Sequence, residues 1–391
     1  MIEKPSSSEH TKHTKKELRI GLAGFGAMGR THAYAIANLP YFYASAQFPL
    51  PFHAYVAGVC TMSKDSADFA ASEFSLGKVY DNYEAMVKDP TIDIIDICTP
   101  NVLHFDMLRA ALQNGKHIYC EKPLCSTLKE AETVAALAKN SPSICGIVFN
   151  CRHLSAVQHA KKMIDARRIG KILSFHFEYL HDTCTYPEKS YGWKQNAEIC
   201  GEGGVLFDLG SHIIDLAVWL CGTLDTVSAR SQIAYPAHPD KSGALWNTNA
   251  SEAFYMIART AAGATGTLTA SKIAKGTNDD LNFAIYGTEG ALRFSLMEPG
   301  RLHYFNAKAP DAGFTTLELG GRFPAPGGIF PSPKAPSGWL MGHVASMYNF
   351  LSSVAEEKPC EPSFATGAYI HAVMQAALTS DQTGAVCKIP S

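Results

Sequence analysis

The chain begins with a polar stretch, and its first apolar run, 18–24 (LRIGLAG), breaks off in a glycine cluster. Short apolar runs bounded by glycine or proline predict buried strands. By that criterion strands lie at 18–24, 54–60, 92–99, 116–120 and 144–149. Between them apolar positions recur at helical spacing, over 30–38, 64–73, 102–114 and 127–139. Pro40 is expected to stop the first helix, and Gly115 to cap the third. Strands alternating with helices predict an α/β unit with a doubly wound parallel sheet, placed at 17–150.

The pattern changes after Asn150. Helical spacing returns at 156–169 and 205–220, and a half-buried alternation occupies 171–180. Strand-like runs then follow one another at 227–234, 252–258, 265–271, 281–286 and 291–296, joined by turn pairs such as Ala262-Gly263 and Glu289-Gly290. Consecutive strands with short connections predict an antiparallel sheet open on one face. The stretch 320–338, rich in Pro and Gly, reads as an irregular loop, and 343–355 and 367–379 as helices. The second unit, 151–391, is therefore expected to be an α+β domain.

Composition narrows the function. Lys and Arg number 34 and Asp and Glu 36, a net charge of −2. That lacks the basic footprint of a nucleic-acid binder and gives no pull toward an anionic membrane. Charged residues are only 18% of the chain, which points to extensive buried surface and a homo-oligomer. The 11 cysteines include no C-x-x-C pair, so they read as small buried hydrophobes in a reducing compartment. Residues 1–16 are polar and basic without an apolar segment, so a disordered tail and a cytoplasmic location are expected. No apolar run reaches the length of a membrane span.

Three groups of residues carry chemistry. The first is Gly24-Phe25-Gly26-Ala27-Met28-Gly29, a G-x-G-x-x-G that follows a strand and opens a helix. Gly24 permits the tight turn, Gly26 lets backbone approach a pyrophosphate, and Gly29 lets helix pack on strand. The anion then meets the helix N-terminus. At the end of the second strand, Cys60 is followed by Thr61-Met62-Ser63-Lys64, with no acid until Asp65. An acid there would bind a ribose 2′-hydroxyl, so its absence leaves NAD and NADP both open. The plainer reading is that Thr61 and Ser63 only shape the loop and that Ser63 caps the next helix.

The second group is Cys98-Thr99-Pro100-Asn101 with His104, Gly115-Lys116-His117 and Glu121-Lys122-Pro123. The third is Trp193-Lys194 followed by GGVLFDLGSHIID from Gly203 to Asp215. In this order the motifs resemble the glucose-fructose oxidoreductase, inositol dehydrogenase and rhizopine catabolism family. Glu202 departs from it, where many relatives carry another glycine. The resemblance implies a Rossmann domain, an open-faced sheet domain and chemistry in the cleft between them. It implies a cofactor along Gly24–Gly29, Thr99, Pro100, Asn101, His104 and Glu121. It places Lys122 at the nicotinamide and the reacting hydroxyl, and Asp208 and His212 at the substrate.

The residues themselves agree with that assignment. Oxidising a secondary alcohol needs a hydride acceptor and a base for the hydroxyl proton. Asp208, His212 and Asp215 are spaced i, i+4, i+7 and are expected on one helix face. His212 suits the base role, Asp208 could orient it or bind a neighbouring hydroxyl, and Lys122 can stabilise an alkoxide. The plainer reading is a core histidine satisfied by a carboxylate. A divalent metal on the same face is not expected, because a hydride acceptor makes it unnecessary. Arg152, Tyr179 and Trp193, with His181 and Tyr186, are further candidates for the substrate. The expected activity is an NAD(P)-dependent interconversion of a secondary hydroxyl and a ketone on a sugar, glycoside or polyol. The alternatives are redox-assisted glycoside cleavage and a nucleotide-binding sensor without turnover. The open sheet face needs a cover, so a homodimer or homotetramer is expected.

Overall fold

The computed structural model describes residues 15–45, 49–186, 188, 192, 194–240, 242–311, 313–320, 330, 332 and 338–390, with Trp193 described for its backbone alone. The tail is therefore outside the described residues up to position 14, and the first strand already starts at Lys16.

The first unit runs β1 (Lys16–Ala23), α1 (Ala27–Tyr43), β2 (Phe52–Cys60), α2 (Lys64–Phe74), β3 (Lys78–Val79), α3 (Tyr83–Lys88), β4 (Ile94–Ile97), α4 (His104–Gln113), β5 (His117–Cys120), α5 (Leu128–Lys139) and β6 (Cys145–Ile147). Its six strands pair in the order β3-β2-β1-β4-β5-β6, all parallel. The chain works outward from β1 to β3, then returns to the other side of β1 for β4. The order reverses there, and a crevice opens at the carboxyl ends of β1 and β4. Pro40 does not stop α1, which continues a turn beyond it. That last turn is held by packing, because Tyr43 stacks on Tyr348 with centroids 3.8 Å apart.

The second unit contains α6 (Ser155–Asp165), β7 (Ile172–Leu180), α7 (Ala197–Cys200), α8 (Ser211–Cys221), β8 (Leu224–Gln232), the small pair β9 (Ala237–Pro239) and β10 (Leu245–Asn247), and then β11 (Ala253–Thr260), β12 (Thr265–Ser271), β13 (Asp280–Gly287), β14 (Gly290–Ser295), β15 (Arg301–Asn306) and β16 (Phe314–Glu318). It ends with α9 (Trp339–Glu356), α10 (Phe364–Thr383) and β17 (Cys387–Lys388). Nine strands form one sheet, β16-β15-β14-β13-β7-β12-β11-β8-β17. The sheet is mixed, because β7 and β12 run parallel at its centre. β7 enters the sheet before the helical segment, and β12 reaches its flank only after the chain has crossed back.

Along β11, Phe254, Met256 and Ala258 are buried while Tyr255 and Ile257 are exposed. One face of this sheet therefore packs on the helices and the other stays open. The division at residue 150 is not clean in the core. α9 returns to the first sheet, where Val344, Met347 and Phe350 pack with Leu18, Ile20 and Tyr119.

Candidate active site

The cofactor crevice is built by backbone. Gly24 has φ +90°, and a Cβ there would lie 2.7 Å from the Cys98 carbonyl. A Cβ on Gly29 would lie 2.2 Å from the Gly24 carbonyl, so the first turn of α1 sits directly on the loop. A Cβ on Gly26 would meet nothing within 4 Å. The N-terminus of α1 has no capping side chain and no acid in its first turn. Its N–H groups and dipole thus face open space, which fits a pyrophosphate. Phe25 is buried, with its ring edge against Phe74, so it anchors the loop.

At the end of β2, Thr61 Oγ1 donates to the Ser63 carbonyl at 2.6 Å, and Ser63 Oγ accepts from the Ser66 N–H as the cap of α2. Both residues shape the loop, as the plainer reading expects. Met62 beside them is fully exposed, and Lys64 is exposed as well. Between Cys60 and Lys64 the chain carries no acid, and the first acid after β2 is Asp65, in the first turn of α2.

The Thr99-Pro100-Asn101 loop and the Glu121-Lys122-Pro123 loop are tied together by His104. Its ring is buried, with Nδ1 3.0 Å from the Pro123 carbonyl and Nε2 3.0 Å from the Thr99 carbonyl. Asn101 reaches the other domain, and its amide donates to the Cys200 carbonyl at 3.0 Å. His104 and Asn101 thus shape the crevice wall. Lys116 is likewise structural: its buried ammonium donates to the carbonyls of Asp89 and Ile92.

The cleft between the domains centres on Asp208, which lies in a π-helical turn, Leu206–Gly210, just before α8. Lys122 crosses from the end of β5 and donates to the Asp208 carbonyl at 2.6 Å and to Oδ1 at 3.1 Å. Lys194 donates to Oδ2 at 2.7 Å, and the Lys272 ammonium lies 3.0 Å from the same oxygen. Burial alone would raise the Asp208 pKa, but Lys272, Lys122 and Lys194 outweigh it and hold the carboxyl well below its usual range. Asp208 is therefore a fixed anion and not a proton acceptor.

His212 lies one turn further on, at the start of α8. Burial, then the Lys122 charge, push its pKa down to about 3, so the ring is neutral. Its Nδ1 has no hydrogen-bond partner among the described residues. Of the two roles open to Asp208, orienting His212 is therefore not the one taken, because the π turn directs the carboxylate to the three lysines. The ring is instead packed edge-on by Phe149 and Tyr179, with centroids 6.1 and 5.7 Å away. Tyr179 lies close to Asp279, which accepts His181 Nε2 at 2.8 Å.

Two further expectations end differently. Asp215 does not share the face of Asp208. It forms a buried pair with Arg152, whose Nε and Nη2 donate at 2.7 and 2.5 Å. Arg152 also lies over the Trp219 ring, so its guanidinium faces protein and not substrate. The side chain of Trp193 lies outside the described residues. The sequence reading missed Lys272 and Asp279 entirely. Each follows or precedes a strand of the second sheet, Lys272 just after β12 and Asp279 just before β13, and no local motif marks either.

Among the described residues two triads have metal-ligand spacing, His32–Asp96–Cys98 and His32–Glu121–His343, and both share His32.

The comparisons with known proteins meet this geometry. A model described as the oxidoreductase family, NAD-binding Rossmann fold, matches residues 18–149, and the family's C-terminal domain matches residues 157–293. Levoglucosan dehydrogenase of Pseudarthrobacter phenanthrenivorans is 32% identical over 90% of this chain and 93% of its own length. The scyllo-inositol 2-dehydrogenase (NAD(+)) of Bacillus subtilis is 27% identical over 75% of this chain and 78% of its own. A solved levoglucosan dehydrogenase with NADH and levoglucosan superposes with a TM-score of 0.91 at 31% identity, covering 96% of this chain and 100% of that one. The two family matches in order, on a fold with a glycine-loop crevice and a lysine-lined cleft, make this chain a member of the Gfo/Idh/MocA family of NAD(P)-dependent sugar and polyol oxidoreductases.

Proposed function

We propose that the cleft oxidises a ring hydroxyl of a small neutral carbohydrate, with His212 as proton acceptor and Lys122 at the reacting oxygen. The observation that carries this is the meeting of Lys122 from the first domain with Asp208 and neutral His212 from the second, at the mouth of the glycine-loop crevice. Bound NAD(P) would supply the hydride acceptor. The Lys122 ammonium stabilises the developing alkoxide. His212, unprotonated as it stands, takes the hydroxyl proton. Asp208 holds Lys122, Lys194 and Lys272 in place, and it leaves hydroxyl-binding donors around the sugar. Tyr179 packs the imidazole. An anhydrosugar such as levoglucosan is the first candidate substrate, on the near-full-length similarity to a levoglucosan dehydrogenase.

The cofactor loop at Thr61, Ser63 and Lys64 supports acceptance of NADP beside NAD. The exposed face of the second sheet, with Leu173, Tyr255 and Ile257, supports a homodimer or homotetramer that covers it. No helix among the described residues is long and apolar enough to cross a membrane. The eleven unpaired cysteines support a reducing, cytoplasmic setting. The activity is tested by following absorbance at 340 nm with NAD, NADP and a panel of sugars and polyols. Cofactor binding without turnover of any of them would refute it.

A further inference from the structure

Behind the catalytic loops lies a buried charge cluster for which the reaction as described has no use. His32 sits on α1, about one turn beyond Gly29, and is 1% exposed. Its Nδ1 lies 2.9 and 3.1 Å from the two carboxylate oxygens of Asp96. Its Nε2 lies 3.2 Å from Glu121 Oε1. A neutral imidazole has one N–H, and an ionised carboxylate has none. Bonding carboxylates at both nitrogens therefore makes the ring an imidazolium. The groups around it come from three elements. β4 and its end supply Asp96 and Cys98, whose Sγ is 3.1 Å from Nδ1. β5 and its end supply Tyr119, Glu121 and Lys122, with the Tyr119 ring centroid 5.3 Å away. α9 supplies His343, 6.0 Å away between ring centroids. Two carboxylates thus flank His32.

The second oxygen of Glu121 connects this cluster to the chemistry. Oε2 accepts the backbone N–H of Lys122 at 3.1 Å. A continuous chain of contacts runs from the glycine loop through α1 and His32 to Glu121, and on to the backbone of Lys122, whose ammonium ends at Asp208. We propose that the His32 imidazolium is a positioning residue that couples the dinucleotide-binding helix to the placement of Lys122. It touches neither cofactor nor sugar. It fixes Glu121, and Glu121 fixes the backbone from which Lys122 reaches across the cleft. The inference rests on Lys122 acting at the reacting oxygen. A metal ion held by His32, Glu121 and His343 is the competing occupant of the same place, since their ligand atoms lie within 4.8 Å of one another. It would need His32 Nε2 without its proton.

The test uses the full chain, sugar turnover with NAD, NADH binding by fluorescence, and thermal unfolding. His32→Asn leaves two buried carboxylates with no cation between them, so stability and turnover both fall. His32→Asn/Asp96→Asn removes the carboxylate that does not contact Lys122. In this double variant the unfolding midpoint should return toward wild type while kcat stays down by roughly 10²-fold, the scale of a small misplacement at a reacting centre. NADH affinity should be unchanged. Recovery of kcat in step with the midpoint would overturn the proposal, leaving His32 a structural role only. Full kcat in His32→Asn would also overturn it, as would a stoichiometric metal in the purified protein by elemental analysis. Lys122→Ala is measured alongside. Its full activity would sink the catalytic reading itself, whereas its loss beside an active double variant would sink only the role of His32.

Discussion

Replacing Asp208 by Asn tests the electrostatic design of the cleft. The substitution keeps shape and removes the one carboxylate that three ammonium groups share. Lys272 and Lys122 are largely buried, with side-chain exposures of 5% and 14%, whereas Lys194 is 47% exposed. Losing one partner of a buried ion pair costs about 3–5 kcal/mol. The Lys194 pair adds at most about 1 kcal/mol, because water screens it. The lysines share one carboxylate, so a cost of about 3–5 kcal/mol stands for the whole cluster. With an unfolding entropy of about 2.1 cal/mol/K per residue, a chain of 391 residues loses about 4–6 °C in its midpoint. The sign of the pH dependence follows. In the wild type burial works to lower the Lys194 pKa, but the Asp208 carboxylate outweighs it and raises the pKa above its ordinary value. The folded wild type then binds more protons than the unfolded chain, so the stability this pair contributes is lost as pH rises, and the variant, which lacks it, has none to lose there. Calorimetry at pH 7.5 and again near pH 10 should show the deficit and its narrowing. An unchanged midpoint at pH 7.5, or a deficit that widens with pH, would refute the view that Asp208 organises the lysines.

The other predictions concern roles that the geometry separates. Arg152→Met strands Asp215 in the core, so it should cost about 3–5 kcal/mol of stability with the sugar KM unchanged; a raised KM at unchanged stability would return Arg152 to the substrate. Because His212 is held neutral down to about pH 3, kcat/KM should show no histidine limb between pH 5 and 7, and an inflection near 6.5 would contradict its assignment as a low-pKa base. Calorimetric titration should give NADP and NAD affinities within about one order of magnitude, as expected where no acid follows the second strand before Asp65. A strong preference for NAD would show that another group reads the ribose.

What the sequence could reveal follows from how local each feature is. The glycine loop was legible because strand, turn and helix lie within a dozen residues, and each glycine has a separate steric reason. Lys122, Asp208 and His212 stood out through their motifs. Their mutual arrangement did not, because the i, i+4 rule assumes an α-helix and Asp208 lies in a π turn. Lys272 could not be found locally. It meets Asp208 only because β12 lies beside β7 in a sheet whose parallel pair no hairpin pattern encodes. Pro40 misled for the converse reason: the stacking of Tyr43 on Tyr348, which carries α1 past it, links residues from opposite ends of the chain. Arg152 is at the ligand-facing edge of the first sheet in sequence, but Asp215 claims it in space.

The central claim is that the lysine-lined cleft passes the proton of a sugar hydroxyl to His212. Single-turnover mixing of enzyme, NAD and levoglucosan, followed at 340 nm, tests it most directly. Wild type should show a rise in absorbance that Lys122→Ala and His212→Ala each reduce severely, with NADH binding by fluorescence intact in both. Undiminished turnover in His212→Ala, with NADH bound as in wild type, would contradict the account.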